Sequence, residues 1–264
     1  MKKTILITGS TDGIGKLAAI RLAAAGHGVA LHGRNAAKLA RVHEEVQAAA
    51  GTEKVRSFVA DFSDLAAVRQ MAMEVQRDLP QLDVLLINAG VFNSPVRQIA
   101  RGLDLRMVVN FLAPYLLSRE LLPLLSQSPD PRLLNLSSAA QETVSLGALS
   151  GELNLATQEA YAQSKLALTM WSFHLAQRWS EGTVIAINPG SLLQTKMVKE
   201  AFGRFWSPAE KGSDLLYELA VGDGYAAHSG KYYDNDRGGF GPAHPDAYEA
   251  EKIAALLRTT EALL

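Results

Sequence analysis

The 264-residue sequence contains no cysteine, which removes disulfides, thiol nucleophiles and thiolate metal sites from consideration together. It also has almost no net charge. Lys and Arg total 26 against 27 Asp and Glu, a balance of −1, and the basic residues are scattered, so no electrostatic footprint for a nucleic acid is present. Six histidines, His27, His32, His43, His174, His228 and His244, show no paired ligand spacing, and no metal is expected. Long apolar runs are missing as well. The most apolar stretch, 107–125, is broken by Asn110, Pro114, Arg119 and Glu120, which predicts a buried helix rather than a transmembrane segment. Behind Met1-Lys2-Lys3, the apolar residues Ile5-Leu6-Ile7 are too few for a signal peptide and read as a strand; the lack of cysteine fits the expectation of a cytoplasmic protein. Neither a Pro/Ser-rich linker nor a repeat divides the chain, and 1–264 reads as one domain.

What is present is a regular alternation. Segments of strand character near 3–8, 28–32, 54–59, 82–87, 132–136, 183–188 and 230–233 are separated by helical patterns. This predicts an α/β fold, a doubly wound sheet of about seven mainly parallel strands with helices on both faces. Ligands in that architecture bind beyond the carboxyl ends of the strands. The first strand runs straight into Thr8-Gly9-Ser10-Thr11-Asp12-Gly13-Ile14-Gly15, and a helical pattern follows at once. A glycine-rich turn there sets backbone N–H groups and the positive helix end against a phosphate. Gly9 permits the tight turn, Gly13 a close approach of pyrophosphate, and Gly15 close helix packing. A Walker-type loop is excluded, since Leu17 follows Lys16 and the glycine spacing is wrong.

Further along, Ala160-Tyr161-Ala162-Gln163-Ser164-Lys165 places a phenol and an ammonium on one helix face. A phenol with a pKa of about 10 is a poor base at neutral pH unless a fixed positive charge stabilises its anion. Lowering it by roughly two to three units takes about 3–4 kcal/mol, within reach of Lys165 together with a cofactor's positive ring. Taken alone, such a pair is usually a solvated one.

The Gly-x-x-x-Gly-x-Gly spacing with Tyr161 and Lys165 resembles the short-chain dehydrogenase/reductase family. Its other marks follow in order: Asp61, Asn88-Ala89-Gly90, Asn110, Leu134-Asn135-Leu136-Ser137-Ser138 and Asn188-Pro189-Gly190. The extra segment Gln141–Gln158, the helix around Asn110 and Ser229-Gly230-Lys231-Tyr232-Tyr233 resemble the retinol-dehydrogenase-like branch. The resemblance implies a Rossmann-type fold, with a cofactor half of about 1–130 and a catalytic and substrate half of about 131–264. It implies that Tyr161 exchanges a proton with the carbonyl or alcohol oxygen while hydride moves to or from nicotinamide C4. Lys165 would lower the phenol pKa and hold the nicotinamide ribose, and Ser138 would hold the substrate oxygen with Ser137 packed behind it. Asn110 would bind main chain or water and extend a proton path from Lys165. Cofactor contacts would come from Gly9, Ser10, Thr11, Asp12, Gly13, Ile14 and Gly15, from Asp61 and Phe62 beside the adenine, and from Asn88, Ala89, Gly90, Pro189 and Gly190. The threonine that meets the nicotinamide amide is one place late, so either Thr195 or Gln194 takes that part.

Members that prefer NAD end the second strand with an acid for the ribose 2′-hydroxyl. Here His32-Gly33-Arg34-Asn35 stands instead, and Arg34 can pair with a 2′-phosphate. NADP(H) is therefore expected over NAD(H), with Asn35 also capping the next helix. The region 192–206 holds Leu192, Leu193, Met197, Val198, Phe202, Phe205 and Trp206. In the family it is a mobile lid, and its apolar content suggests a lipophilic aldehyde, ketone or alcohol, the other reading being that these residues anchor a helix pair or an oligomer contact. Trp171 and Trp179 face either the core or a partner subunit. Ser207-Pro208-Ala209-Glu210 reads as a capping box. The competing function is a non-catalytic, NADP(H)-binding regulatory or redox-sensing protein. Such family members tend to lose the tyrosine or the lysine, and both are kept here.

Overall fold

The computed structural model describes residues 1–51 and 55–264. Strands β1 (Thr4–Ile7), β2 (Gly28–Gly33), β3 (Arg56–Val59), β4 (Val84–Ile87), β5 (Arg132–Leu136), β6 (Thr183–Asn188), β7 (Lys231–Asp234) and β8 (Gly239–Gly241) form one sheet in the order β3-β2-β1-β4-β5-β6-β7-β8. All neighbours are parallel except β7 and β8. The order reverses direction at β1 and β4, the switch point beside which such sheets bind their ligands. Seven strands match the expected positions; residue 54 of the expected third strand lies outside the described residues. The eighth, missed from the sequence, is only Gly-Phe-Gly. Its pairing comes from the hairpin back onto β7 rather than from any strand pattern of its own.

Because successive side chains on a strand point to opposite faces, the apolar strands feed two cores. Leu6, Leu85, Ile87 and Leu133 join one, and Ile5, Ile7, Val84, Leu86 and Leu134 join the other. Helices α1 (Gly13–Ala24), α2 (Ala36–Ala49) and α9 (Ala209–Val221) cover the second face. The first is covered by α3 (Leu65–Asp78), α4 (Leu105–Met107), α5 (Ala113–Leu125) and α7 (Thr157–Ala176). Helix α10 (Ala250–Leu263) packs against α7 and against short α6 (Leu146–Leu149), while α8 (Lys196–Phe202) lies over the carboxyl ends of the strands with no buried residue.

Helix α4 runs into α5 through a π turn, Val108–Leu112. The whole, Leu105–Leu125, is by length and composition apolar enough to cross a membrane, but most of it is buried within this fold. Trp171 and Trp179 take the core alternative, their indole N–H groups donating to Ser118 Oγ at 3.1 Å and Ser126 Oγ at 2.8 Å. The capping box at Ser207 is a correction. Helix α9 begins at Ala209 with Pro208 as its N-cap and no side-chain cap, because Ser207 is paired with Leu193 in an isolated bridge.

Candidate active site

The glycine turn is shaped by close packing. Gly9 and Gly13 have φ of 64° and 53°, the left-handed region that glycine enters without penalty. A Cβ on Gly9 would lie 2.7 Å from Ala89 Cα, and one on Gly15 would lie 2.4 Å from Asn88 Nδ2. Asn88 Nδ2 itself donates to Thr8 O and Gly9 O, both at 2.9 Å, so its amide ties β4 to the turn. Asp12 caps α1, its side chain accepting from Gly13 N, and Lys16 N closes the first turn on Asp12 O at 3.2 Å. Ser10 is fully buried, bonded to the main chain of His32, and Thr11 packs against Gly33. Ile14 faces Gly212 on α9.

His32, on β2, supports this turn, a part that its place in the sequence does not suggest. Its Nδ1 accepts from Gly9 N at 3.0 Å and its Nε2 lies 3.0 Å from Ala60 O, which fixes the neutral tautomer with hydrogen on Nε2. Its ring stacks on Phe62 at 4.3 Å, so Phe62 is buried. Burial brings His32 down to about 4, outweighing the bond to Ala60 and the charge of Asp61. The folded pKa is below the ordinary 6.5, so its contribution to stability is complete above pH 6.5 and is lost as pH falls toward 4. That loss amounts to about 3 kcal/mol. Thermal melts between pH 7 and pH 4 should show a steeper fall in Tm for the parent than for His32→Gln; equal slopes would refute this.

Beyond β2, Arg34 is exposed and Asn35 caps α2 by accepting from Lys38 N at 2.9 Å. Lys38, not singled out from the sequence, reaches Asp12 with an Nζ–Oδ2 distance of 2.6 Å. Two cations thus stand at the end of β2 beside the glycine turn. Asp61 accepts from Ser63 N and Ser63 Oγ, and Asp64 caps α3.

At the centre of the carboxyl edge, α7 presents Tyr161 and Lys165. Lys165 is buried and donates to Leu136 O at 2.8 Å; its Nζ lies 5.6 Å from the centroid of the Tyr161 ring. Tyr161 is hydrogen-bonded to Ser138. Ser137 sits behind as expected, bonded to Lys165 O and Thr169 Oγ1. Asn110, at the π turn, accepts from Val91 N at 2.8 Å and donates to Val91 O and Ser164 Oγ, both at 3.0 Å. A π turn supplies one extra residue and aims a side chain that a regular helix would turn elsewhere. A Cβ on Gly90 would lie 3.4 Å from Asn110 Oδ1 and 3.5 Å from Lys165 Nζ. Through Ala89-Gly90 the glycine turn and α7 therefore share one floor, with glycine where a side chain would fill it.

Burial raises the Tyr161 phenol above its ordinary value, and the bond with Ser138 is the influence that lowers it. Burial also brings Lys165 down to about 8.

On the far side, Gly190 has φ of 120° and Leu192 φ of 47°. The left-handed Leu192 is a strained backbone of the kind held at functional loops. Thr195 caps α8 by accepting from Val198 N, and its methyl would meet a Cβ on Gly13 at 3.4 Å, whereas Gln194 is exposed. Phe202 of α8 packs on Phe92 at 5.3 Å, and Phe92 on Tyr161 at 4.8 Å. Among the described residues no group of three His, Asp or Glu side chains is placed to hold a metal.

Residues 3–204 match the family model described as short chain dehydrogenase. The chain belongs to the short-chain dehydrogenase/reductase family. It is 32% identical over 246 residues to retinol dehydrogenase 12 of Bos taurus, across 88% of this chain and 78% of that protein. It is also 32% identical over 282 residues to retinol dehydrogenase 13 of Mus musculus, across 99% and 83%. A short chain dehydrogenase of Escherichia coli CFT073, solved in complex with NADPH, superposes with a TM-score of 0.72 at 29% identity, covering 88% of this chain and 96% of that one. As a family member of the retinol-dehydrogenase-like branch, the protein is a nicotinamide-dependent oxidoreductase that interconverts carbonyl and alcohol groups.

Proposed function

We propose that this enzyme is NADP(H)-dependent, acts on a lipophilic aldehyde, ketone or alcohol, and uses Tyr161 as its general acid and base. The observation that carries the reading is the shared floor, where Ala89-Gly90 joins the phosphate-binding turn to Asn110 and Lys165. The cofactor would lie along Gly9–Gly15, Ala89-Gly90 and Pro189-Gly190, and it supplies or accepts the hydride when bound. Tyr161 protonates the developing alkoxide in reduction and takes the alcohol proton in oxidation, and Ser138 donates to the same oxygen. Lys165 holds the ribose and adds its charge to that of the ring. Asn110, fixed on Val91 and Ser164, holds the π turn beneath Lys165.

The preference for NADP(H) rests on the missing acid after β2 and on Arg34, with Lys38 one helical turn further on. Exposed Met197, Phe202, Phe205 and Trp206 on and after α8 support a lipophilic substrate. A fluorescence titration should find NADPH bound at least about tenfold more tightly than NADH, the scale of one charge-assisted pair. Arg34→Ala should narrow the ratio by weakening NADPH alone. Equal affinities in the parent would end the NADP(H) assignment, and a carbonyl and alcohol panel with the preferred cofactor tests the substrate class.

A further inference from the structure

Strand β7 ends in Tyr232-Tyr233-Asp234 and is followed by Asn235-Asp236, and side chains of this segment reach two different loops of the site. Tyr232 is buried and crosses β6 to donate its hydroxyl to Ser138 O at 2.9 Å, a carbonyl that also accepts from Gln141 Nε2 at 3.0 Å. Three residues on, Asn235 Nδ2 donates to Pro189 O at 2.8 Å and Lys211 O at 3.2 Å. Asp236 accepts from Ser191 N at 2.8 Å, Ser191 Oγ at 2.6 Å and Asn188 Nδ2 at 2.8 Å. Asn188 Nδ2 is shared with Asp234 Oδ1 at 2.8 Å. The Asn188–Ser191 turn, which contains Gly190 with its positive φ, is thus held from outside by side chains of β7 and the two residues after it.

We infer that β7 and the two residues after it are a brace that sets both halves of the reaction geometry, Tyr232 positioning Ser138 and Asn235 with Asp236 positioning the Pro189–Ser191 loop for the nicotinamide end of the cofactor. The inference rests on the proposed activity and adds positioning residues to it. None of the three touches a reacting atom. Tyr232 acts through the backbone of Ser138, and Asn235 and Asp236 act through the loop that would hold the nicotinamide end; a misplacement of about 1 Å at such positions is felt in rate. The two arms of the brace are separate in space, so they separate in effect.

Tyr232→Phe removes one oxygen and keeps the packing. It should lower kcat about fivefold to tenfold, the scale of one lost positioning hydrogen bond, with the NADPH dissociation constant within about twofold of the parent. Asp236→Ala should do the reverse in binding, weakening NADPH about tenfold or more, since an acceptor of three hydrogen bonds is lost. Asp236→Asn keeps one acceptor oxygen and should lose less; it also serves if the alanine variant does not fold. NADPH titration, steady-state kinetics and thermal melts on the full chain read these outcomes. Unchanged kcat in Tyr232→Phe, unchanged NADPH affinity in the Asp236 variants, or a parallel loss of kcat, affinity and Tm in all of them overturns the brace. A parent that binds NADPH but turns over no carbonyl or alcohol refutes the proposed activity instead. The brace is then decided by whether NADPH affinity falls in the Asp236 variants and holds in Tyr232→Phe.

Discussion

Tyr161→Phe should lower turnover by about two orders of magnitude or more, the usual scale for removing a general acid or base, while NADPH affinity stays close to that of the parent. The phenyl ring keeps its edge contact with Phe92, so packing is retained and only the exchangeable proton and the bond with Ser138 are lost. Single-turnover reduction of a verified substrate by bound NADPH separates the chemical step from product release. Near-parent rates in that measurement would remove Tyr161 from the chemistry.

Lys165→Met should cost more in kcat/KM than Tyr161→Phe does, because it acts twice. The ammonium holds the ribose, so NADPH affinity should fall about tenfold with that charged contact, and its charge favours the phenolate, so turnover should fall as well. The sign of the pH effect follows. Removing a positive charge beside Tyr161 raises the phenol pKa further. Alcohol oxidation, which needs the phenolate, should then rise with pH only at more alkaline values than in the parent. Reduction, which needs the neutral phenol, should persist to higher pH. Profiles of kcat in both directions measure this, and an unshifted alkaline limb would mean that Lys165 does not tune Tyr161. Lys165 itself, brought down to about 8 by burial, begins to lose its charge near that pH, so the parent's cofactor affinity should weaken there while that of Lys165→Met does not.

The parts of this site that were legible in the sequence are those whose meaning is local. Gly9, Gly13 and Gly15 follow a strand and open a helix within seven residues, and Tyr161 and Lys165 share a helix face by their spacing alone. Asn35 caps α2 for the same reason. What escaped depends on partners distant along the chain. His32 stands next to the glycine that introduces Arg34, yet its bonds to Gly9 and Ala60 exist only once β1, β2 and β3 are side by side. Lys38 meets Asp12 across 26 positions and Tyr232 meets Ser138 across 94. The fate of Trp171 and Trp179 was likewise undecidable from periodicity. Helix α7 is buried on nearly every side, and no polar stripe marks an outer face. Ser207 shows the converse, a local cap signal overridden by the long-range bridge to Leu193.

The π turn at Val108–Leu112 divides Leu105–Leu125 into two helical phases. One inserted residue rotates everything beyond it by about 100° relative to an unbroken helix, so residues before and after Asn110 keep to different registers. Deleting a single residue from this turn would leave composition, length and mean hydropathy almost untouched. It would nevertheless force a choice, because either Asn110 keeps its aim at Val91 and Ser164 or α5 keeps its apolar stripe on the sheet. A shorter loop elsewhere could be absorbed by slack at its ends, whereas this helix is clamped in the core on both sides of the turn. Its length is therefore a fixed quantity of the architecture, counted in whole residues.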